Sequence, residues 1–110
     1  MTNRRFQALE KLINLSEGYS SRFRIDHLHL LLFHRNGETH LVEATCPHRA
    51  HLLDPASIID GAIECPAHHY RFSLQDGSLI NSPGEPCRNL RVFPLVYEGS
   101  EIGIMLDEPQ

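Results

Sequence analysis

The chain is expected to fold as an all-β protein, on three observations. Its apolar residues fall in short runs rich in Ile, Val, Leu and Phe. Those runs lack the 3.6-residue spacing of an amphipathic helix, and Asn-Gly, Asp-Gly and Glu-Gly pairs punctuate them where hairpins would turn. With 110 residues, 41% of them apolar, the sequence fits one domain over residues 1–110 with one modest core.

Taken in order, "QALEKLINL" (residues 7–15) carries only a faint helical pattern and reads as an initial strand followed by a loop. In "RFRID", Phe23 and Ile25 alternate with Arg22, Arg24 and Asp26, and the run "LHLLLF" follows directly, so residues 20–35 read as strand. Asn36-Gly37 supplies the positive φ angles of a tight hairpin, and residues 39–44 return antiparallel. Asp60-Gly61 lies between two strand-like pieces in "SIIDGAIEC", and Asp76-Gly77 does the same in "YRFSLQDGSLI". "LRVFPLVYEGSEIGIML" forms a last hairpin turning at Glu98-Gly99. The loop "NSPGEPCRN" is the one Pro- and Gly-rich connection, nothing repeats at a fixed period, and no linker divides the chain.

The formal charge of -4, with the basic residues scattered, gives no attraction to nucleic acid. The N-terminal stretch "MTNRRFQALEKLINLSEGYS" is interrupted by charge and never builds the apolar core of a signal peptide. No later run approaches transmembrane length, so a soluble, cytoplasmic protein without a membrane partner is expected. Three cysteines, two of them beside histidines, suit metal ligation in a reducing compartment better than a disulfide framework. Cys87, left over, reads as a small packed thiol.

Those cysteines belong to the densest chemical pattern in the chain. Cys46-x-His48 is followed, after 16 intervening residues, by Cys65-x-x-His68, and a proline stands directly after each cysteine. Each half offers one thiolate and one imidazole from a loop that follows a strand, so two hairpin tips can place four ligands around one site. Two Cys and two His are a common structural zinc set. Zinc fingers usually pair like ligands locally, however, whereas each loop here mixes them. The mixed order suits a 2Fe-2S centre in which the thiolates bind one iron and the imidazoles the other.

With these residues in place, the sequence resembles the Rieske ferredoxin family. "EGYSSRFRI", "CPHR", "IECPAHHYRF", "DGSLINSPGEP" and "LRVFPLVYEGSEI" look like family segments in the expected order over nearly the whole chain. The resemblance implies an antiparallel β-sandwich base with an inserted cluster-binding subdomain over about residues 45–85. It implies one Rieske-type 2Fe-2S cluster, with Cys46 and Cys65 on the inner iron and His48 and His68 on the outer, solvent-facing one. "SPG" at 82–84 looks like the family's proline loop over the cluster. Two neutral imidazoles in place of thiolates make the cluster easier to reduce, and their remaining ring N–H groups make its potential fall as pH rises.

Departures from the family pattern are equally specific. High-potential members carry an extra cysteine in each loop, where this chain has His51 and Ala67. Their Ser and Tyr hydroxyl donors correspond to Tyr70 and Phe72, which predicts a potential in the low part of the Rieske range. The family usually has Gly where this chain has Ala50 and His69, so His69 is expected to be strained or left-handed. His27, His29, His34 and His40 read as surface residues, and His51 and His69 as loop side chains close to the site. Arg49 and Arg71 read as solvated charges beside it.

The resemblance implies a one-electron carrier rather than an enzyme, passing electrons from a flavoprotein or ferredoxin reductase to a terminal oxygenase. No catalytic residues are assigned: there is no Ser-His-Asp order and no phosphate-cradling Gly loop, and the length leaves no room for the mononuclear iron domain of a complete oxygenase. Two alternatives stay open, the small Rieske-like subunit of a nitrite reductase and a zinc-binding structural module.

Overall fold

The computed structural model describes residues 3–48, 51–54, 58–67, 69–82 and 84–108. Its strands are β1 (Asn3–Lys11), β2 (Ser20–Ile25), β3 (Leu28–Arg35), β4 (Glu38–Glu43), β5 (Ile58–Ile59), β6 (Ala62–Glu64), β7 (Arg71–Ser73), β8 (Leu79–Asn81), β9 (Val96–Glu98) and β10 (Glu101–Glu108). A short 3-10 turn, Leu12–Asn14, follows β1. All pairings are antiparallel, in three sheets ordered β1-β10-β9, β2-β3-β4 and β5-β6-β7-β8. The expected strand and loop over residues 7–15 and the all-β architecture are both present.

Residues 20–35 are corrected by the structure: they form two strands rather than one. Ile25 pairs with Leu28, so the chain reverses at Asp26-His27, with Asp26 at φ 54°. Asp tolerates the left-handed region better than most side chains because its short polar group bonds locally. The expected turn at Asn36-Gly37 is there, with φ of 54° and 77° and Arg35 paired to Glu38. Asp60-Gly61 likewise turns between Ile59 and Ala62, at 51° and 75°. The last hairpin turns one residue later than expected, at Gly99-Ser100, between paired Glu98 and Glu101.

The unbroken run in β3 has a packing explanation. Leu30 and Leu32 face one core with Leu41, Ile102, Ile104 and Leu106, whereas Leu31 and Phe33 face a second with Val42, Ile63, Phe72 and Leu90. Because successive side chains of a strand point to opposite faces, a strand buried on both reads as continuously apolar. All four residues are at most 1% exposed. The sheet β2-β3-β4 thus lies between the β1-β10-β9 sheet and the β5-β8 sheet, and the second core is the floor on which both Cys-Pro loops stand.

Candidate metal centre

Each loop is closed by the same backbone bond. Cys46 N–H donates to His51 O at 2.7 Å, and Cys65 N–H donates to Tyr70 O at 2.7 Å, so a cysteine sits at the root of each six-residue loop. Strand pairing explains the placement. The first loop leaves β4 through the Thr45–Leu52 bridge and the Leu53 N–H bond to Ala44 O, while the second joins β6 to β7, whose terminal pair is Glu64–Arg71. Arg22 secures the first root from below, its guanidinium donating to Leu53 O at 2.5 Å.

The two thiols point inward. Cys46 is 1% exposed and Cys65 fully buried, both in the apolar cluster with Leu53, Tyr70, Phe72 and Leu90. Neither is in a disulfide. His48 is less buried than the thiols, with its ring stacked on Tyr70 at 4.1 Å between centroids and 20° between planes. Its Nδ1 is shielded from solvent. This stack joins the first loop to the residue that closes the second. Tyr70 in turn donates its hydroxyl to Glu85 O, tying in the segment around that residue. The backbone there approaches closely, since a Cβ on Gly84 would lie 3.1 Å from the Tyr70 hydroxyl.

Of the four expected ligands, Cys46, His48 and Cys65 are described, and His68 lies outside the described residues, as do Arg49, Ala50 and Pro83. Among the described residues, no three His, Cys, Asp or Glu side chains gather around a single-ion site. A centre that divides its ligands two per iron does not call for such a group. The donor set itself fits a 2Fe-2S cluster: two buried thiols outside any disulfide on an apolar floor, and on the first loop an imidazole with a shielded ring nitrogen.

His69 adopts φ 62°, as expected where a glycine would usually stand. Its Nδ1–H donates to Glu64 Oε2 at 3.1 Å, and Glu64 Oε1 accepts from Arg71 Nη2 at 2.9 Å. The hydrogen bond from Arg71, then that from His69, holds the Glu64 carboxyl below its ordinary range. Arg71 is therefore ion-paired and not simply solvated. Across the site Arg88 grips Glu43 with both guanidinium nitrogens, at 2.6 and 2.8 Å. Cys87 is half-buried against the same core, and burial pushes its thiol pKa up, away from reactivity.

The remaining histidines stay away from the loops. His27 and His29 are exposed, His34 bonds Thr39 at 2.8 Å, and His40 packs on Phe33 beside Glu38. Sequence reasoning missed the structural roles of Tyr70 and Glu64. The Glu64–Arg71 pair was open to inference from opposite charges flanking a six-residue loop, but the Tyr70–His48 stack had no sequence signal.

Residues 6–94 match the family described as Rieske [2Fe-2S] domain. The ferredoxin component of the alkene monooxygenase system of Xanthobacter autotrophicus (strain ATCC BAA-1158 / Py2) is 32% identical over 90 residues, covering 81% of this chain and 71% of that protein. Among solved structures, the Sphingomonas yanoikuyae B1 ferredoxin superposes with a TM-score of 0.73 at 21% identity, over 96% of this chain and 100% of that one. A chain in the complex of reduced oxygenase and oxidized ferredoxin in carbazole 1,9a-dioxygenase gives 0.71 at 23% identity, over 87% of this chain and 97% of that one.

Proposed function

Because the chain belongs to the Rieske 2Fe-2S family, we propose that it is a one-electron carrier, a ferredoxin that takes electrons from a reductase and delivers them to a terminal oxygenase. The observation that carries this reading is the pair of like-closed Cys-Pro loops, each with its thiol buried at the root, joined by the His48–Tyr70 stack. The group the family binds accepts and returns a single electron when held. In this chain Cys46 and Cys65 would hold one iron, and His48 and His68 the other.

The residues around the site do the rest of the work. Leu53, Phe72 and Leu90 exclude water from the thiol side, which keeps the dielectric low there. Electrons enter and leave at the histidine side, the part of the site nearest solvent. Tyr70 spends its hydroxyl on Glu85 O, and Phe72 is buried with no hydroxyl to offer, so neither supplies the donor that raises the potential in high-potential members. The midpoint is expected in the low part of the range of about -150 to +300 mV. The relatives named for alkene monooxygenase and carbazole dioxygenase systems support an oxygenase as the acceptor. Soluble, cytoplasmic operation fits a chain in which, among the described residues, no helix is long and apolar enough to cross a membrane.

The test combines potentiometry with reconstitution. Purified protein is titrated, reduced, and mixed anaerobically with a terminal oxygenase and a ferredoxin reductase. The expected result is a low midpoint, re-oxidation of this protein by the oxygenase, and substrate turnover that requires it. A midpoint well above zero, or turnover unchanged when it is left out, would contradict the reading.

A further inference from the structure

Four non-glycine residues among those described have positive φ: Asp26, Asn36, Asp60 and His69. The first three are Asp or Asn opening two-residue hairpin turns, the residue types and positions in which left-handed backbone is common. His69 is neither. It sits inside the second Cys-Pro loop, between His68 and the loop-closing Tyr70, where its side chain brings a steric penalty that glycine would not.

That side chain is also the one that is held. Glu64 and Arg71 face each other as the last cross-strand pair of β6 and β7, so the sheet fixes the carboxylate. One of its oxygens takes Arg71 at 2.9 Å and the other takes His69 Nδ1–H at 3.1 Å. The Glu64 side chain is 24% exposed but its partner His69 is 71% exposed, so solvent screens the His69 contact, whose part is to position the residue rather than to add a strong ion pair. The same loop is crossed by the His69 N–H bond to Cys65 O at 2.9 Å. Side chain and backbone of His69 are therefore both tied to the start of the loop, at Glu64 and Cys65, while Arg71 just past its end shares the same carboxylate.

We propose that Glu64 is a positioning residue: it clamps His69 in the left-handed conformation and so holds the Cys65–Tyr70 loop in the shape needed to present its ligands. The inference rests on the ligand reading above, and its test separates the two. Holoprotein is prepared as wild type, Glu64→Ala, His69→Gly and the double variant. Two quantities are followed: the rate at which visible absorption is lost to a chelator, and backbone amide exchange in the peptide spanning residues 65–70.

In the His69 background, Glu64→Ala is expected to speed both by about fivefold or more, because the left-handed residue loses what offsets its strain. With glycine at 69 the same substitution is expected to change either rate by less than about twofold. Equal acceleration in both backgrounds would overturn the proposal, since Glu64 would then act through Arg71 alone, and so would no acceleration in either. Absence of visible absorption from wild type would sink the ligand reading, while amide exchange would still decide the clamp.

Discussion

Cys65→Ser is expected to yield a colourless protein that still folds on its β1-β10-β9 side, and Cys46→Ser to do the same. Both thiols lie at the roots of their loops, at most 1% exposed, where no water can substitute as a ligand. A serine hydroxyl ionises far less readily than a thiol and is a harder donor, so iron is retained at less than about a tenth of the wild-type level. Each serine also buries a hydroxyl on an apolar floor, which costs about 1–3 kcal/mol if it finds no partner. The core of Leu30, Leu32, Leu41, Ile102 and Ile104 contains neither cysteine and remains intact. Cys87→Ser is the control: half-buried and outside both loops, it leaves the visible spectrum unchanged. Visible absorption and elemental iron on the three variants decide the matter, and an iron-replete Cys65→Ser protein would refute the assignment.

Gly77→Ala is the substitution outside the ligand set expected to do most damage. Gly77 has φ 80°, and a Cβ built there would lie 2.0 Å from Leu90 O. The clash is with backbone, and it falls where Leu90 N–H donates to Gly77 O at 2.8 Å, the bond that anchors the segment after the proline loop to the β7-β8 turn. Strained φ and displaced backbone together cost at least about 2 kcal/mol. That corresponds to a loss of about 8 °C or more in Tm. Differential scanning calorimetry measures it, and a Tm within a degree or so of wild type would show that the turn repacks freely.

How much of this was legible in the sequence depends on which interactions are local. Asn36-Gly37 and Asp60-Gly61 announced their hairpins because positive φ is a property of the residues themselves. Asp26-His27 did not, because neither residue is a customary hairpin pair and the apolar pattern runs on across it; only the Ile25–Leu28 pairing reveals the turn. The run "LHLLLF" marked a buried strand, yet that it faces two different cores is set by sheets distant in sequence. The left-handed His69 could be anticipated from a missing glycine. The carboxylate that holds it could not, since the reach of Glu64 depends on the exact register of β6 and β7. Likewise the cysteine and histidine spacing pointed to two loops and one centre, but the stack of His48 on Tyr70 that joins them is a tertiary contact between residues 22 positions apart.

The most direct test of the account is hyperfine spectroscopy of the reduced protein, with iron and acid-labile sulfide assayed on the same sample. Iron and sulfide are expected in equal amounts, about two of each per chain, with two nitrogen couplings from imidazoles on one iron and the thiolates on the other. Zinc in place of iron, or an iron centre showing only sulfur ligands, would contradict it.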